Sequence, residues 1–243
     1  MPSLDLPTPA RALAVGAHPD DIEFGAGATL AKWAAAGCQV SFAICTDGSK
    51  GTWDPSADLA ALVATRQAEA RDAAEALRAT GDVVFLGQAD GELENDRETR
   101  SDLARWIRVL KPDVLLGHDP WKRYRLHPDH RAGGFLTCDA LVAARDPHFF
   151  PEHELAPHRP ATLLLFEADE PDHAESVQPG HVDAKIAALE AHRSQYESTM
   201  FITDAVGPEA RRFRDEIRAG VAEAGTWAGV AGAERFRLMA TDR

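Results

Sequence analysis

The chain is poor in cysteine, with only Cys38, Cys45 and Cys138. The number is odd and no CxxC pair occurs. A disulfide framework is therefore not expected, and a reducing cytoplasm fits the composition better. The three thiols read as small buried hydrophobes. Positive charge is also scarce: 26 Lys and Arg stand against 39 Asp and Glu, leaving a net charge of −13. Nucleic-acid binders carry a basic footprint, so general binding of DNA or RNA is excluded. No apolar run approaches the ~20 residues that span a bilayer. The opening segment MPSLDLPTPA lacks a basic stretch followed by an apolar one, so no secretory leader is expected.

What is present is the composition of a soluble globular protein, 44% hydrophobic and 27% charged over 243 residues. That length suits one domain with a sizeable core. Short apolar runs at Leu13–Ala17, Val40–Cys45, Val83–Leu86, Val114–Gly117 and Ala161–Phe166 read as strands. Between them lie helical stretches at 25–36, 59–79, 97–110 and 131–144, and a further helix is expected at 181–195. Alternating strands and helices predict an α/β fold: a Rossmann-like parallel sheet of order about 3-2-1-4-5, with helices on both faces. Residues 208–224 read as helical and 225–243 as a strand or a cap. The whole of 1–243 is expected to be one domain, with a core at about 12–196 and an irregular C-terminal extension at about 197–243.

Chemistry concentrates in two short motifs. Ala17-His18-Pro19-Asp20-Asp21 follows the first strand and precedes a helix. His127-Pro128-Asp129-His130 follows the fourth strand and also precedes a helix. In a doubly wound sheet these two strands flank the switch point, where ligands bind beyond the carboxyl ends. Two imidazoles and one carboxylate form a common catalytic metal set that leaves a position for water. His18 and Asp21, three apart at a helix start, share a face, and His130 completes the set. Asp20 is then free to act as general base beside metal-activated water. His127 is the second functional imidazole, placed to donate to an oxyanion or to the leaving amine. His118, just past the fourth strand, reads either as a ligand or as a residue supporting the ligands from behind. Asp129 reads as a residue that orients its neighbours. The plainer readings are an N-cap for the first motif and a surface turn for the second. Their joint placement favours a site.

These motifs resemble the signature of the LmbE-like (PIG-L type) N-acetylglucosaminyl deacetylases. The resemblance extends to Glu23, to Gly25-Ala26-Gly27 and to the loop Thr46-Asp47-Gly48-Ser49-Lys50-Gly51. It also takes in Arg66 and Glu69, the turn Ala89-Asp90-Gly91-Glu92-Leu93, and Lys185 with His192-x-Ser194-Gln195. It runs from about 12 to 196. It implies zinc at His18, Asp21 and His130 (Fe2+, Mn2+ or Co2+ suit the same donors), Asp20 as base and His127 as electrostatic or acid partner. It further implies hydrolysis of an N-acetyl group from a glucosamine-type sugar, releasing acetate and an amine. Members of the mycothiol branch have a Tyr close before HPDH. Here Arg125 stands two residues before that motif, with Tyr124 beside it, a departure from mycothiol-type specificity. The bacillithiol-type branch is of similar length and often hexameric, so a homo-oligomer is implied.

Candidate substrate contacts are Arg66, as a clamp for an anion or a hydroxyl, Asp47 and Ser49 from the 46–58 loop, Asp90, Trp53 as a stacking indole, and His192. Each has a duller reading. Arg66 could pair with Glu69 on a solvated helix face, Asp47 and Ser49 could serve the turn, Trp53 could pack its loop, and Lys50 could simply be solvated. Two other functions fit less well. An amidase acting on a thiol conjugate or an N-acyl glycopeptide would use the same metal set. A dinucleotide-binding module would need GxGxxG at the first strand–helix turn, where HPDD stands instead. A purely structural metal site needs no spare carboxylate.

Overall fold

Residues Arg11–Gly16 (β2) form a strand whose every residue except Arg11 is buried, as a parallel strand covered on both faces must be. The computed structural model describes residues 1–241. Around β2 lie Gln39–Thr46 (β3), Val83–Gln88 (β4), Val114–His118 (β5) and Thr162–Phe166 (β6), all paired in parallel. The short strands Ser3–Leu4 (β1) and His173–Ser176 (β7), with Ala233–Ala240 (β8), complete an eight-stranded sheet of order β1-β7-β8-β6-β5-β2-β3-β4. The helices are Asp21–Ala35 (α1), Leu59–Ala76 (α2), Arg97–Leu110 (α3), Pro128–Arg145 (α4), Pro179–Ala191 (α5) and Pro208–Ala228 (α6).

The strand pleat sorts the core into two layers. Leu13, Val15, Leu115, Leu163 and Leu165 point to the face covered by α3 and α4, where Leu103, Ile107 and Leu136 meet them. Their neighbours Ala12, Ala14, Leu116, Leu164 and Phe166 point to the other face, packing with Leu30, Trp33 and Ala73 of α1 and α2. This period-2 division of near-continuous apolar runs is what a doubly covered sheet requires.

The five central strands lie in the expected order, but two expectations need correction. The sheet is mixed, because β8 runs antiparallel between β6 and β7. The C-terminal part is regular, not irregular: α6 and β8 return the chain to the sheet. Phe236 is fully buried between the exposed Arg235 and Arg237, so the alternation in Arg235–Leu238 is that of a half-covered strand. Helix α1 also begins at Asp21, earlier than Gly25. Gly25 lies inside the helix because a Cβ there would come within 2.5 Å of the Phe166 ring. The glycine marks close packing of α1 on β6, not a helix start.

Both helices that follow the motifs start at the carboxyl end of the sheet: α1 after β2, and α4 after the loop that leaves β5. The adjacent pairing of β2 and β5 thereby brings residues 18–21 and 127–130 together.

Candidate metal centre and cleft

Asp21 is the meeting point of the two motifs. Its Oδ2 lies 3.2 Å from His18 Nδ1 and its Oδ1 lies 3.2 Å from His130 Nε2. The backbone N–H of His18 also donates to Oδ2 at 2.7 Å. On its far side, His18 Nε2 faces Asp129 Oδ2 at 3.1 Å and Asp90 Oδ1 at 3.2 Å. A carboxylate on one ring nitrogen fixes the tautomer and leaves the other nitrogen free to bind a cation. Asp129 is fully buried and is itself held by the amides of Gly91 (2.6 Å) and Leu93 (3.2 Å). The reading of Asp129 as an orienting group thus has its geometry, with the β4–α3 turn as the anchor.

Three overlapping groups of donors come close enough to hold an ion: His18, His127 and His130; Asp21, His118 and His130; and His18, Asp90 and Asp129. The expected set of His18, Asp21 and His130 is linked through the Asp21 carboxylate. Imidazole nitrogens with a carboxylate oxygen suit first-row divalent ions. The electrostatics agree with a cation here. Burial disfavours protonation of His18, yet Asp21, Asp129 and Asp90 together push it up to about 12. Three carboxylates around one imidazole favour positive charge at their centre, whether a proton or a metal supplies it.

Asp20 has a different environment from its neighbour. Its backbone sits at φ 121°, a conformation costly for any residue with a Cβ, and of the kind kept at functional sites. It flanks the N-terminus of α1 but makes no side-chain cap, so the N-cap reading does not account for it. Burial raises its pKa to about 6 against the pull of the Arg66 guanidinium. In Asp21, burial is outweighed by His118, His130 and His18, and the pKa falls well below the usual carboxylate range.

Arg66 is buried, not on a solvated face. Its guanidinium donates to the carbonyls of Gly48 (2.9 Å) and Pro19 (2.7 Å) and approaches Asp20 Oδ2 at 3.4 Å. Glu69 does not pair with it; that carboxylate takes the amide and hydroxyl of Ser194 at 2.8 and 2.6 Å. Gly48, at φ 67°, leaves the room Arg66 needs, since a Cβ there would stand 2.7 Å from Nη1.

His18, Asp20, Asp21, Arg66, Asp90, His127 and His130 all line one cleft of about 540 Å³. His127 and His130 stack with ring centroids 4.8 Å apart, and His127 meets the edge of His18 at 4.6 Å. Burial, with His18 and His130 nearby, lowers the His127 pKa, which favours the neutral ring. The other expected substrate contacts lie outside the lining. Asp47 is taken up by the amides of Ser49 (2.9 Å) and Asp90 (3.1 Å), the turn role open to it. Trp53 is 66% exposed beside Phe201, their ring centroids 6.2 Å apart. His192 is buried behind Asp20, with Nε2 at 3.4 Å from Glu23.

The cleft also holds Phe24, Glu167 and Thr199, which carried no motif, and Gln195, which was not among the candidate contacts. Lys50 lines it too, with its ammonium on Glu92 at 2.9 Å. Glu167 follows β6, at φ 58°. Its carboxylate meets His118 Nδ1 at 3.3 Å and Arg125 Nη1 at 2.8 Å. Burial opposes its ionisation, but these two partners pull its pKa down to about 2. His118 stacks on His130, 4.4 Å between centroids, and its Nε2 faces Asp21 Oδ2 at 3.1 Å. Only Ser194-Gln195, within the resembling stretch, gave any signal for Gln195.

The chain is similar to diacetylchitobiose deacetylase of Thermococcus kodakarensis, 32% identical over 189 residues, which cover 76% of this chain and 70% of that enzyme. It is 36% identical over 172 residues to a 1D-myo-inositol 2-acetamido-2-deoxy-alpha-D-glucopyranoside deacetylase of Catenulispora acidiphila, covering 60% of this chain and 53% of that one. The solved structure of N,N'-diacetylchitobiose deacetylase from Pyrococcus horikoshii superposes with a TM-score of 0.84 at 29% identity. That alignment covers 96% of this chain and 84% of the other. Residues 13–141, which hold both motifs, match the PIG-L family, described as GlcNAc-PI de-N-acetylase. The chain belongs to the PIG-L family and is a hydrolase of the de-N-acetylase type.

Proposed function

We propose that the protein hydrolyses the acetamide of an N-acetylglucosamine-type sugar or conjugate, releasing acetate and the free amine, with Asp20 as base and zinc on His18, Asp21 and His130. The observation that carries this reading is the divergence of two adjacent carboxylates. Asp21 is held ionised among three imidazoles, while Asp20 is raised to about 6. Neighbouring carboxyls pushed apart in this way divide the roles of ligand and base. A divalent metal bound there would supply a Lewis acid for the carbonyl and would lower the pKa of water. Asp20 accepts the proton of the attacking water. The N–H of neutral His127 donates to the oxygen that gains charge. Protonated Asp20 returns its proton to the departing nitrogen, directly or by way of His127, which takes that proton up before passing it on, so that amide and water become acetate and amine. Asp90 and Arg66 border the space a sugar would fill.

Relatives that act on diacetylchitobiose and on an acetamido-glucopyranoside support an amino-sugar substrate over a thiol-conjugate or glycopeptide amide. The three cysteines are free, in keeping with the reducing cytoplasm expected from the composition; no described helix is long and apolar enough to cross a membrane. Strand β7 pairs with β1 on one side and with β8 on the other, which places both ends of the described chain in one sheet, in keeping with a single domain. Tyr124 and Leu126, 90% and 94% exposed on the loop before His127, are apolar surface that a second copy would cover. The decisive experiment offers purified protein N-acetylglucosamine, N,N'-diacetylchitobiose and N-acetylglucosaminyl conjugates, with and without chelator, and follows amine release. Chelator-sensitive release from one of them is expected; no release from any in zinc-loaded protein would refute the reading.

A further inference from the structure

Two imidazoles stand beside Asp21 and His130. His118 forms a donor group with them, while His18 meets Asp21 Oδ2 at 3.2 Å and shares a separate group with His127 and His130. His118 is buried, is stacked on His130, and has Nε2 at 3.1 Å from Asp21 Oδ2. Whether it can ligate depends on which of its nitrogens carries the proton, and two neighbours of opposite character bear on Nδ1. Glu167 Oε2, at 3.3 Å, is an acceptor and favours Nδ1–H. That tautomer leaves a lone pair on Nε2, the arrangement in which a carboxylate prepares an imidazole for a metal. Arg125 Nη1, at 3.1 Å, can only donate. Facing it, Nδ1 offers its lone pair, and Nε2 carries the proton and donates to Asp21 at 3.1 Å, a closer partner than the Ala17 amide, which approaches Nε2 at 3.5 Å.

Arg125 is built into this position. Its side chain is 5% exposed, and the same Nη1 holds Glu167 at 2.8 Å. Glu167 in turn sits in left-handed backbone at φ 58°, a strained conformation that persists only where its surroundings impose it. His118 and Phe166 are register partners on adjacent strands, so the residue after Phe166 is carried to the His118 ring by the sheet itself.

We propose that Arg125 is a positioning residue that holds His118 as a hydrogen-bond donor to Asp21 and so keeps it out of the metal's ligand set. With Arg125 in place, the site has His18, Asp21 and His130 and retains a position for water. Without it, the ring proton moves to Nδ1 and donates to Glu167, Nε2 is left with a lone pair, and His118 becomes an additional ligand. The inference rests on the reading that a divalent metal sits at Asp21 and His130.

The probe is Co2+, whose visible absorption weakens as its coordination number rises, titrated into apo-protein and competed with a chelator. Arg125→Met removes the donor and keeps most of the bulk. Its Co2+ spectrum is expected to weaken and its Kd to fall by about tenfold or more, the scale on which groups behind metal ligands act. Arg125→Lys, which still donates, is expected to keep the parent spectrum. Adding His118→Gln to Arg125→Met should restore the parent spectrum, because the extra ligand is gone. Unfolding midpoints of all variants identify loss of fold, and in that event Arg125→Lys against Arg125→Lys/His118→Gln carries the comparison: equal spectra are expected, unequal ones refute the assignment. An Arg125→Met protein with the parent spectrum and a Kd within twofold overturns the inference, as does a change that survives His118→Gln. Failure of the parent to bind Co2+ at all would overturn the metal reading beneath it.

Discussion

The Arg66 guanidinium and the Asp20 carboxylate face one another 3.4 Å apart at the floor of the cleft, both almost wholly buried. The pair is longer than the two bonds Arg66 makes to the carbonyls of Pro19 and Gly48. Arg66 is thus first a clamp on the backbone that carries the two aspartates, and only second a counter-charge. Asp20 is left with a partner close enough to hold its charge at neutral pH but not close enough to abolish its basicity. That balance is what a general base needs.

Replacing Asp20 by Asn keeps the volume and removes the proton acceptor. Turnover should fall by about 10²–10⁴-fold, the usual contribution of a positioned acid–base group. Bound metal should remain at the parent stoichiometry, because Asp20 is not among the donor groups. Steady-state kinetics and metal analysis on the same preparation check both. Parent-like turnover with metal bound would remove Asp20 from the mechanism.

The pH profile follows from the same residue. Asp20 accepts a proton only when ionised, and burial raises its pKa to about 6. Activity is therefore present above that value and lost as the pH falls through it. A metal beside Asp21 adds positive charge and lowers the value, so the acid limb of kcat/KM in the loaded enzyme should lie at or below about 6. Arg66→Met removes the largest lowering influence, and the limb should move to higher pH. A limb that stays in place in this variant would show that Arg66 does not tune the base.

The sequence carried the parts of the site that local spacing and strand order decide. His18 and Asp21 meet because they are three apart at a helix start, and His130 joins them because β2 and β5 are neighbours. Other residues arrive by routes that leave no local trace. Glu167 reaches His118 through a left-handed turn after β6. Asp47, a polar loop residue that could equally have faced a sugar, is committed to amides of two loops. Arg66 and Glu69, correctly spaced for a helix pair, take different partners because the 46–51 loop and Ser194 compete for them. Strand β8 falls in a segment that read as a strand or a cap, and its place between β6 and β7 depends on a long return through α6.

Gly48 links loop conformation to the clamp. An Ala there meets two penalties: φ 67°, and a Cβ 2.7 Å from Arg66 Nη1. Gly48→Ala should destabilise the fold by about 1–3 kcal/mol. It should also lower kcat/KM more than Gly37→Ala, which has a similar backbone (φ 94°) but nothing within 4 Å of the added Cβ. Chemical denaturation and kinetics on the two variants separate strain from clash. Equal losses in activity would mean that displacing Arg66 does not matter to the site.

Glu234 fixes the returning strand to the helix that bears the metal motif. Its carboxylate takes the amides of Ala28 (3.2 Å) and Thr29 (2.7 Å) in α1 and the ammonium of Lys185 (2.6 Å), while Lys185 also donates to the Phe24 carbonyl at 2.7 Å. Both side chains are buried. Removing one member of such a pair leaves an uncompensated charge and costs about 3–5 kcal/mol. Glu234→Ala should therefore lower the free energy of unfolding by about that much, and Glu234→Gln, which can still accept from the amides, by less. Because α1 begins at Asp21, the Ala variant should weaken metal binding as well as the fold. Urea unfolding and chelator competition read the two effects separately. A Glu234→Ala protein with an unchanged unfolding midpoint would mean that β8 is held by its sheet pairing alone, and that the buried pair contributes nothing to joining it to the metal-bearing helix.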